Sequence, residues 1–382
     1  MEHQSRFLGL AKGVSMLAGT TIGAGILGIP YVISQSGYWI GMLHVVVLGV
    51  SLVFLNLCLT EVTLRTDGEQ QLPGLARKYL GRSGKLLTFV AMAVLVYGSL
   101  TAYIAGSGDI LAQLTGIDAL PMAFVFFGLA SLLVFLGVKA VSQFQLVFVV
   151  GLIVIMASIA LRALTADGVF DWNNMNLGNS LTSPSALLPY GAVLFSYLGV
   201  IAIPDIEKVM KYHKRDMDLA VVLGFLIPVI IYIVFSTVVI GVTGPETTGV
   251  ATIGLGQILG GEVFVVANIF GLLAMFTSFL ALGLALVTIY REEYDVRQST
   301  AVIMTVLPPM TLVFAGISGF ADIISFTGAV SGSIIGIVIV FMYWKSKYEG
   351  DKIPEFSLGQ MRWGGVALVT LMLFGLLSVL LS

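Results

Sequence analysis

Hydrophobic residues run along this chain in long blocks, each closed by a short polar segment, with no sustained alternation of strand period. Runs of about eighteen or more apolar residues have the length a helix needs to cross a bilayer. Eleven such spans are predicted, at 8–35, 38–64, 86–114, 121–138, 142–162, 185–210, 219–242, 260–290, 299–316, 320–344 and 361–381. The polar remainder sorts by side: with the N-terminus cytoplasmic, eighteen of the nineteen lysines and arginines fall in cytoplasmic connections and only Arg162 falls outside. That asymmetry predicts an inside N-terminus and an outside C-terminus. It also supports the count of eleven, because one missed helix would reverse every later loop. Trp39, Trp172, Trp344 and Trp363 stand at or just beyond span ends, where interfacial rings anchor.

Two blocks are broken alike. Gly19-Thr20-Thr21-Ile22-Gly23-Ala24-Gly25-Ile26-Leu27-Gly28-Ile29-Pro30 interrupts the first span. Its Gly25-to-Pro30 part is echoed 174 positions later by Gly199-Val200-Ile201-Ala202-Ile203-Pro204 in the sixth. Because five is odd, spans 1–5 and 6–10 run in opposite senses. The expected fold is therefore all-α and integral to the membrane, one domain over 1–382. It holds a first repeat at 8–162, an inverted second repeat at 185–344 and an additional helix at 361–381. Matched breaks in inverted halves point to a transporter site built from discontinuous helices at the bilayer midplane. Proline kinks with small residues for packing are the plainer reading.

Between the spans, Leu72, Leu75, Ala76, Tyr79 and Leu80 recur at helical spacing among several cations, which predicts a short amphipathic helix on the cytoplasmic face within 66–85. The glycine-rich stretch 243–259 reads as a long outer loop, a candidate external lid.

Composition narrows the chemistry. Apolar residues make up 58% of the 382 and charged residues 10%, which excludes a water-solvated globular domain. A net charge of −2 with dispersed cations offers no nucleic-acid surface. The first apolar run is too long for a cleaved signal peptide. Cys58 is the single cysteine, so neither an intrachain disulfide nor a cysteine metal cluster can form.

In the first span, Gly23, Ala24 and Gly25 supply backbone without bulk, so the chain can leave the helical path and present free N–H groups and carbonyls. A substrate carboxylate answers the N–H groups that start the second half-helix, and a cation answers the carbonyls that end the first. In the sixth span, Phe195-Ser196-Tyr197-Leu198-Gly199 precedes the matching proline and offers a hydroxyl, two rings and a glycine, residues equally suited to packing. In the eighth, Thr277 and Ser278 set adjacent hydroxyls deep in an apolar segment, oxygen ligands for a hard cation unless they bond back to their own helix. Glu61, Asp109, Glu262 and Asp322 all lie toward span ends, and His44 lies in the outer half of its helix, so no central proton relay stands out. His3, His44 and His213 lie far apart at different predicted depths, which disfavours an intramembrane enzyme, and the matched breaks argue against a passive channel.

The chain resembles the amino acid, polyamine and organocation superfamily with its LeuT-type five-plus-five fold, and most closely the amino acid/auxin permease branch with the bacterial tryptophan and tyrosine permeases. The likeness rests on Gly19 through Gly25 with Pro30, on Ala102-Tyr103-Ile104 with Gly108-Asp109, and on Thr277-Ser278-Phe279-Leu280. Phe326-Thr327-Gly328-Ala329 with Ser331-Gly332 and Leu75-Ala76-Arg77-Lys78-Tyr79-Leu80-Gly81 carry it further. The resemblance implies that backbone around Thr20 to Gly25 and Phe195 to Gly199 holds the charged ends of an amino acid. It also implies a sodium site from the Gly19 and Ile22 carbonyls with Ala274, Thr277 and Ser278. Tyr197-Leu198-Gly199 departs from the eukaryotic pattern, which leaves substrate identity open.

The expected substrate site is thus Thr20, Thr21, Gly23, Ala24, Gly25, Tyr103, Phe195, Ser196 and Gly199. The expected function is alternating-access transport of a neutral amino acid across the plasma or inner membrane, coupled to sodium, with proton coupling as the alternative. No cofactor beyond the ion and no obligate protein partner is expected; lipid is the solvent.

Overall fold

A computed structural model describes residues 2–137 and 184–380, together with scattered positions between 151 and 176. Most of the predicted fifth span, half of the 163–184 connection and Ser382 lie outside the described residues. Among those described there are helices and turns and no strand. In chain order the helices are α1 Glu2–Thr21, α2 Ile29–Ser36, α3 Tyr38–Leu64, α4 Leu72–Thr115, α5 Ala119–Phe135, α6 Leu188–Ser196 and α7 Ile203–Val209. They continue with α8 Met217–Thr243, α9 Ala251–Leu259, α10 Gly261–Tyr294, α11 Gln298–Phe314, α12 Phe320–Thr327, α13 Ser333–Glu349 and α14 Arg362–Leu380.

Among the described residues, seven helical stretches are long and apolar enough to cross a membrane, and the bent pair Arg6–Thr21 with Ala24–Ser36 makes an eighth. The helices α5 and α11 are apolar but only 17 residues each.

The breaks fall where glycine and proline place them. After α1 a 3-10 turn occupies Ala24–Leu27, and after α6 another occupies Gly199–Ala202. In each case the helix then restarts with proline in its first turn, Pro30 in α2 and Pro204 in α7. Proline is tolerated there because the first N–H groups of a helix have no acceptor one turn back, so these prolines restart helices rather than kink them. A third irregularity follows α12, where Gly328–Gly332 forms a π turn before α13.

The amphipathic segment is present as the opening of α4. Leu72, Leu75, Ala76 and Tyr79 are buried, and the chain turns at Gly81, with φ 74° and ψ −162°, before the membrane-crossing part begins. That φ favours glycine over any residue with a Cβ. The glycine-rich stretch 243–259 departs from expectation. Only its first half is irregular, and Ala251–Leu259 is a helix packed on α10. Its Gly256 lies so close to Phe264 that a Cβ would stand 2.9 Å from the Phe264 Cα, so this glycine serves helix contact rather than loop flexibility.

The charged ends are stitched together around Glu61, which is fully buried at the end of α3. Its carboxylate accepts from Lys347 Nζ at 2.5 Å, Arg65 Nε at 2.9 Å, Ser357 Oγ at 2.8 Å and the Leu358 N–H at 2.8 Å. Two cations and two further donors compensate one buried carboxylate, and removing a partner from such a cluster typically costs about 3–5 kcal/mol. Asp351 extends the stitching by pairing with Lys78, which holds its carboxyl below the usual range. His44 bonds the Ile40 carbonyl one turn back at 2.9 Å, a packing role.

Candidate functional site

The helical ladder of α1 ends when the Ile22 N–H donates to the Ala18 carbonyl at 2.8 Å and the next N–H, from Gly23, turns to Thr21 at 3.0 Å instead of Gly19. The Gly19 carbonyl thereby loses its helical donor. In the second break, the Leu198 N–H reaches Phe195 at 3.1 Å and the Gly199 N–H reaches Tyr197 at 2.8 Å, so this ladder also tightens and stops. The chain bends by 47° at the first break, while the second stays within one 25-residue span, Ser185–Val209.

The two breaks touch. A Cβ at Gly25 would lie 2.6 Å from Ser196 Oγ and 3.1 Å from Phe195 Cδ1, and a Cβ at Gly199 would collide with Thr21 Oγ1. Neither glycine has a positive φ, so what each supplies is space for close approach.

Beside this contact lies a cavity of about 500 Å³, within the usual range for small-molecule sites. Of the residues expected at a substrate site, Thr20, Thr21, Gly23, Gly25, Tyr103, Phe195 and Ser196 line it. Ala24 and Gly199 do not; Ala24 is fully buried in its 3-10 turn and Gly199 is packed on Thr21. The five residues expected around a cation, Gly19, Ile22, Ala274, Thr277 and Ser278, all line the same cavity. Gly23 and Ser278 are neighbours in its wall, since a Cβ on Gly23 would fall 3.4 Å from Ser278 Oγ. The Tyr103 hydroxyl has the side chains of Ser99 and Ser278 beside it, which ties α4 to α10 at this depth.

The hydroxyls share one constraint. Thr20 donates to Met16 O at 2.8 Å, Thr21 to Leu17 O at 2.8 Å, Ser196 to Ala192 O at 2.8 Å and Thr277 to Leu273 O at 3.0 Å. Each spends its proton on its own helix, which leaves only lone pairs for a ligand. Such oxygens suit a metal cation or an ammonium group. A carboxylate needs donors, and the opening N–H groups of Ala24–Leu27 are the ones without a carbonyl one turn behind them.

The site also includes residues that no sequence motif marks. Met92, Leu95 and Ser99 line the cavity on the same face of α4 as Tyr103, a set that helical spacing from Tyr103 would have supplied. Toward the charged end, Gln71, Asp205 and Glu292 form the mouth, and Gln71 Nε2 donates to Asp205 Oδ1 at 3.0 Å. Tyr232 of α8 is buried behind the breaks; a tyrosine in so apolar a helix signals a hydroxyl in need of a partner. No group of three or more His, Cys, Asp or Glu positioned for a metal ion occurs among the described residues.

Known proteins match over the same extent. The chain is 24% identical over 386 residues to "Glutamine transporter 2" of Aliivibrio fischeri, covering 96% of this chain and 97% of that one. It is 25% identical over 399 residues to "Tyrosine-specific transport system 2" of Haemophilus influenzae, covering 96% and 94%. It is 24% identical over 394 residues to a "Tryptophan-specific transport protein" of Shigella flexneri, covering 95% and 92%. The model of the tryptophan/tyrosine permease family matches residues 7–382, and the chain belongs to that family of permeases, not to the enzymes.

Proposed function

We propose that this protein is a secondary active transporter that carries a neutral amino acid through the membrane by alternating access. The observation that carries the reading is the meeting of both interrupted helices at one cavity, where Gly19, whose carbonyl has lost its helical donor, and hydroxyl lone pairs border the same space as Gly25 in the opening turn of the second half-helix. Relatives named for glutamine, tyrosine and tryptophan support a substrate with an uncharged side chain, and the largely apolar lining around Met16, Met92, Leu95, Leu198 and Leu282 suits one.

In this reading the fold is the LeuT-type inverted repeat, with eleven spans and a cytoplasmic N-terminus. The cavity mouth at Gln71, Asp205 and Glu292 then opens to the cytoplasm, the inward-facing state. Sodium is the coupling ion, held by Gly19 and Ile22 carbonyls with Ala274, Thr277 and Ser278, because the carbonyls and the Thr277 hydroxyl have no proton left to donate and no carboxylate lies among these residues. Proton coupling is the competing reading.

Counterflow in proteoliposomes tests the function. Exchange of an unaltered amino acid, drawn from a panel that includes glutamine, tyrosine and tryptophan, is the expected result; absence of exchange over the panel overturns it. Affinity in sodium against choline at fixed pH separates the ions, since equal affinity together with uptake that follows a pH gradient replaces sodium by the proton. Single-cysteine labelling at position 174, after Cys58 is replaced, tests orientation: labelling from the cytoplasm alone reverses it.

A further inference from the structure

The carbonyl ends of both interrupted helices meet at one side chain that does not line the cavity. Tyr232 of α8 is fully buried, and its hydroxyl lies 2.7 Å from the Thr21 carbonyl and 2.9 Å from the Ser196 carbonyl. These are the last residues of α1 and α6, so the hydroxyl stands at the C-terminal ends of two half-helices. Each such end carries partial negative charge, and two of them placed together repel unless a positive group lies between. The phenol supplies that group with its one proton, shared between two acceptors.

The ring is held where this can happen. It stacks on Tyr197 with centroids 5.1 Å apart and planes 30° apart, and Tyr197 in turn packs 5.1 Å from Phe225 and donates to the Val45 carbonyl at 3.3 Å. Tyr232 thus reaches the breaks from a helix that packs along both α1 and α3.

We propose that Tyr232 is a positioning residue, a clasp whose hydroxyl proton holds the ends of the two half-helices at a fixed separation and so sets the spacing of the unwound segments that recognise substrate. This rests on the transport reading above for what the segments recognise, while the clasp itself is a statement about helix geometry. Donation is the property that matters: a side chain of the same size without a donor leaves two carbonyl ends facing each other, and a donor with two protons serves both.

The test replaces Tyr232 by phenylalanine, by 4-fluorophenylalanine, which keeps the size but cannot donate, and by 4-aminophenylalanine, which brings two N–H donors. Each variant is made in the full chain and reconstituted in proteoliposomes. Substrate KM is measured over the amino acid panel. In parallel, spin labels placed by Lys12→Cys and Leu188→Cys in a Cys58→Ser background report the distance distribution between the two half-helices. Both label sites are exposed.

The phenylalanine and fluoro variants are expected to raise KM about tenfold, the effect of orphaning the buried Ser196 carbonyl while the Thr21 carbonyl keeps the Gly23 N–H, and to broaden or shift the distance distribution. The amino variant is expected to restore both. Wild-type KM and an unchanged distribution in a donor-free variant overturn the clasp, as does failure of the amino variant to differ from the fluoro variant. If the wild-type protein carries no amino acid in the panel, the transport reading fails separately, and the distance distributions alone decide on Tyr232.

Discussion

The two breaks are built from the same local elements and yet shape the chain differently. Each has a helix end, a four-residue 3-10 turn and a proline in the first turn of the helix that follows. The first bends the chain by 47°, whereas the second continues through Ser185–Val209 as one span. Their glycines differ too: Gly25 makes room for Ser196 and Phe195 of the partner helix, and Gly199 makes room for Thr21. A shared motif therefore sets where a helix stops and restarts, and neighbouring side chains set the angle between its halves.

The comparison breaks most severely at Gly25. A valine there drives its Cβ toward Ser196 Oγ, 2.6 Å away, and against the Ser196 backbone, with little room for relief. Overpacking of this kind costs about 1–3 kcal/mol, so Gly25→Val is expected to weaken substrate binding by roughly tenfold to a hundredfold in a protein still inserted in the membrane. Equilibrium binding on purified protein checks this, and wild-type affinity would detach the first break from the site.

At Gly199 the obstacle is the end of a side chain, which can be removed. Gly199→Ala should lower affinity by about tenfold from the same overpacking range, and Thr21→Ala in the same chain should recover a large part of the loss. A double-mutant cycle on substrate affinity reads the coupling; simple additivity means the two breaks do not press on one another there.

A smaller effect is expected in α10, at Thr277. Thr277→Ala removes one candidate cation ligand while leaving the backbone intact. Sodium affinity and substrate affinity should fall together by about fivefold, because linkage makes the coupling reciprocal. A change in one without the other denies that the ion shares the cavity.

The mouth should matter least. Gln71→Ala removes the hydrogen bond to Asp205 at a water-accessible position, where surface substitutions usually change stability by no more than about 0.5 kcal/mol, so uptake is expected to stay within about twofold of wild type. A large loss of rate with binding intact would make this contact a gate.

Much of this organisation is legible residue by residue. Pro30 and Pro204 announce helix restarts because proline acts on its own turn, and the Leu72, Leu75, Ala76 and Tyr79 spacing announces the amphipathic opening of α4 for the same local reason. The stretch 251–259 misleads because a glycine can mean either freedom or closeness. Gly256 sits against Phe264, a relation that no reading of its own neighbours reveals. At Thr277 the back-bonding alternative holds, since the hydroxyl proton goes to the helix, and the oxygen lines the cavity.

By itself the sequence determined that long apolar helices form and where the two breaks fall, because hydropathy, glycine and proline act over a few neighbouring residues; it marked only part of the cavity lining. Only the tertiary structure decided which carbonyls each break leaves without a helical donor, that Gly25 and Gly199 serve contact between the breaks, and that Tyr232 stands between Thr21 and Ser196. Those relations join residues far apart along the chain, and they depend on packing distances of a few ångströms that no local pattern encodes.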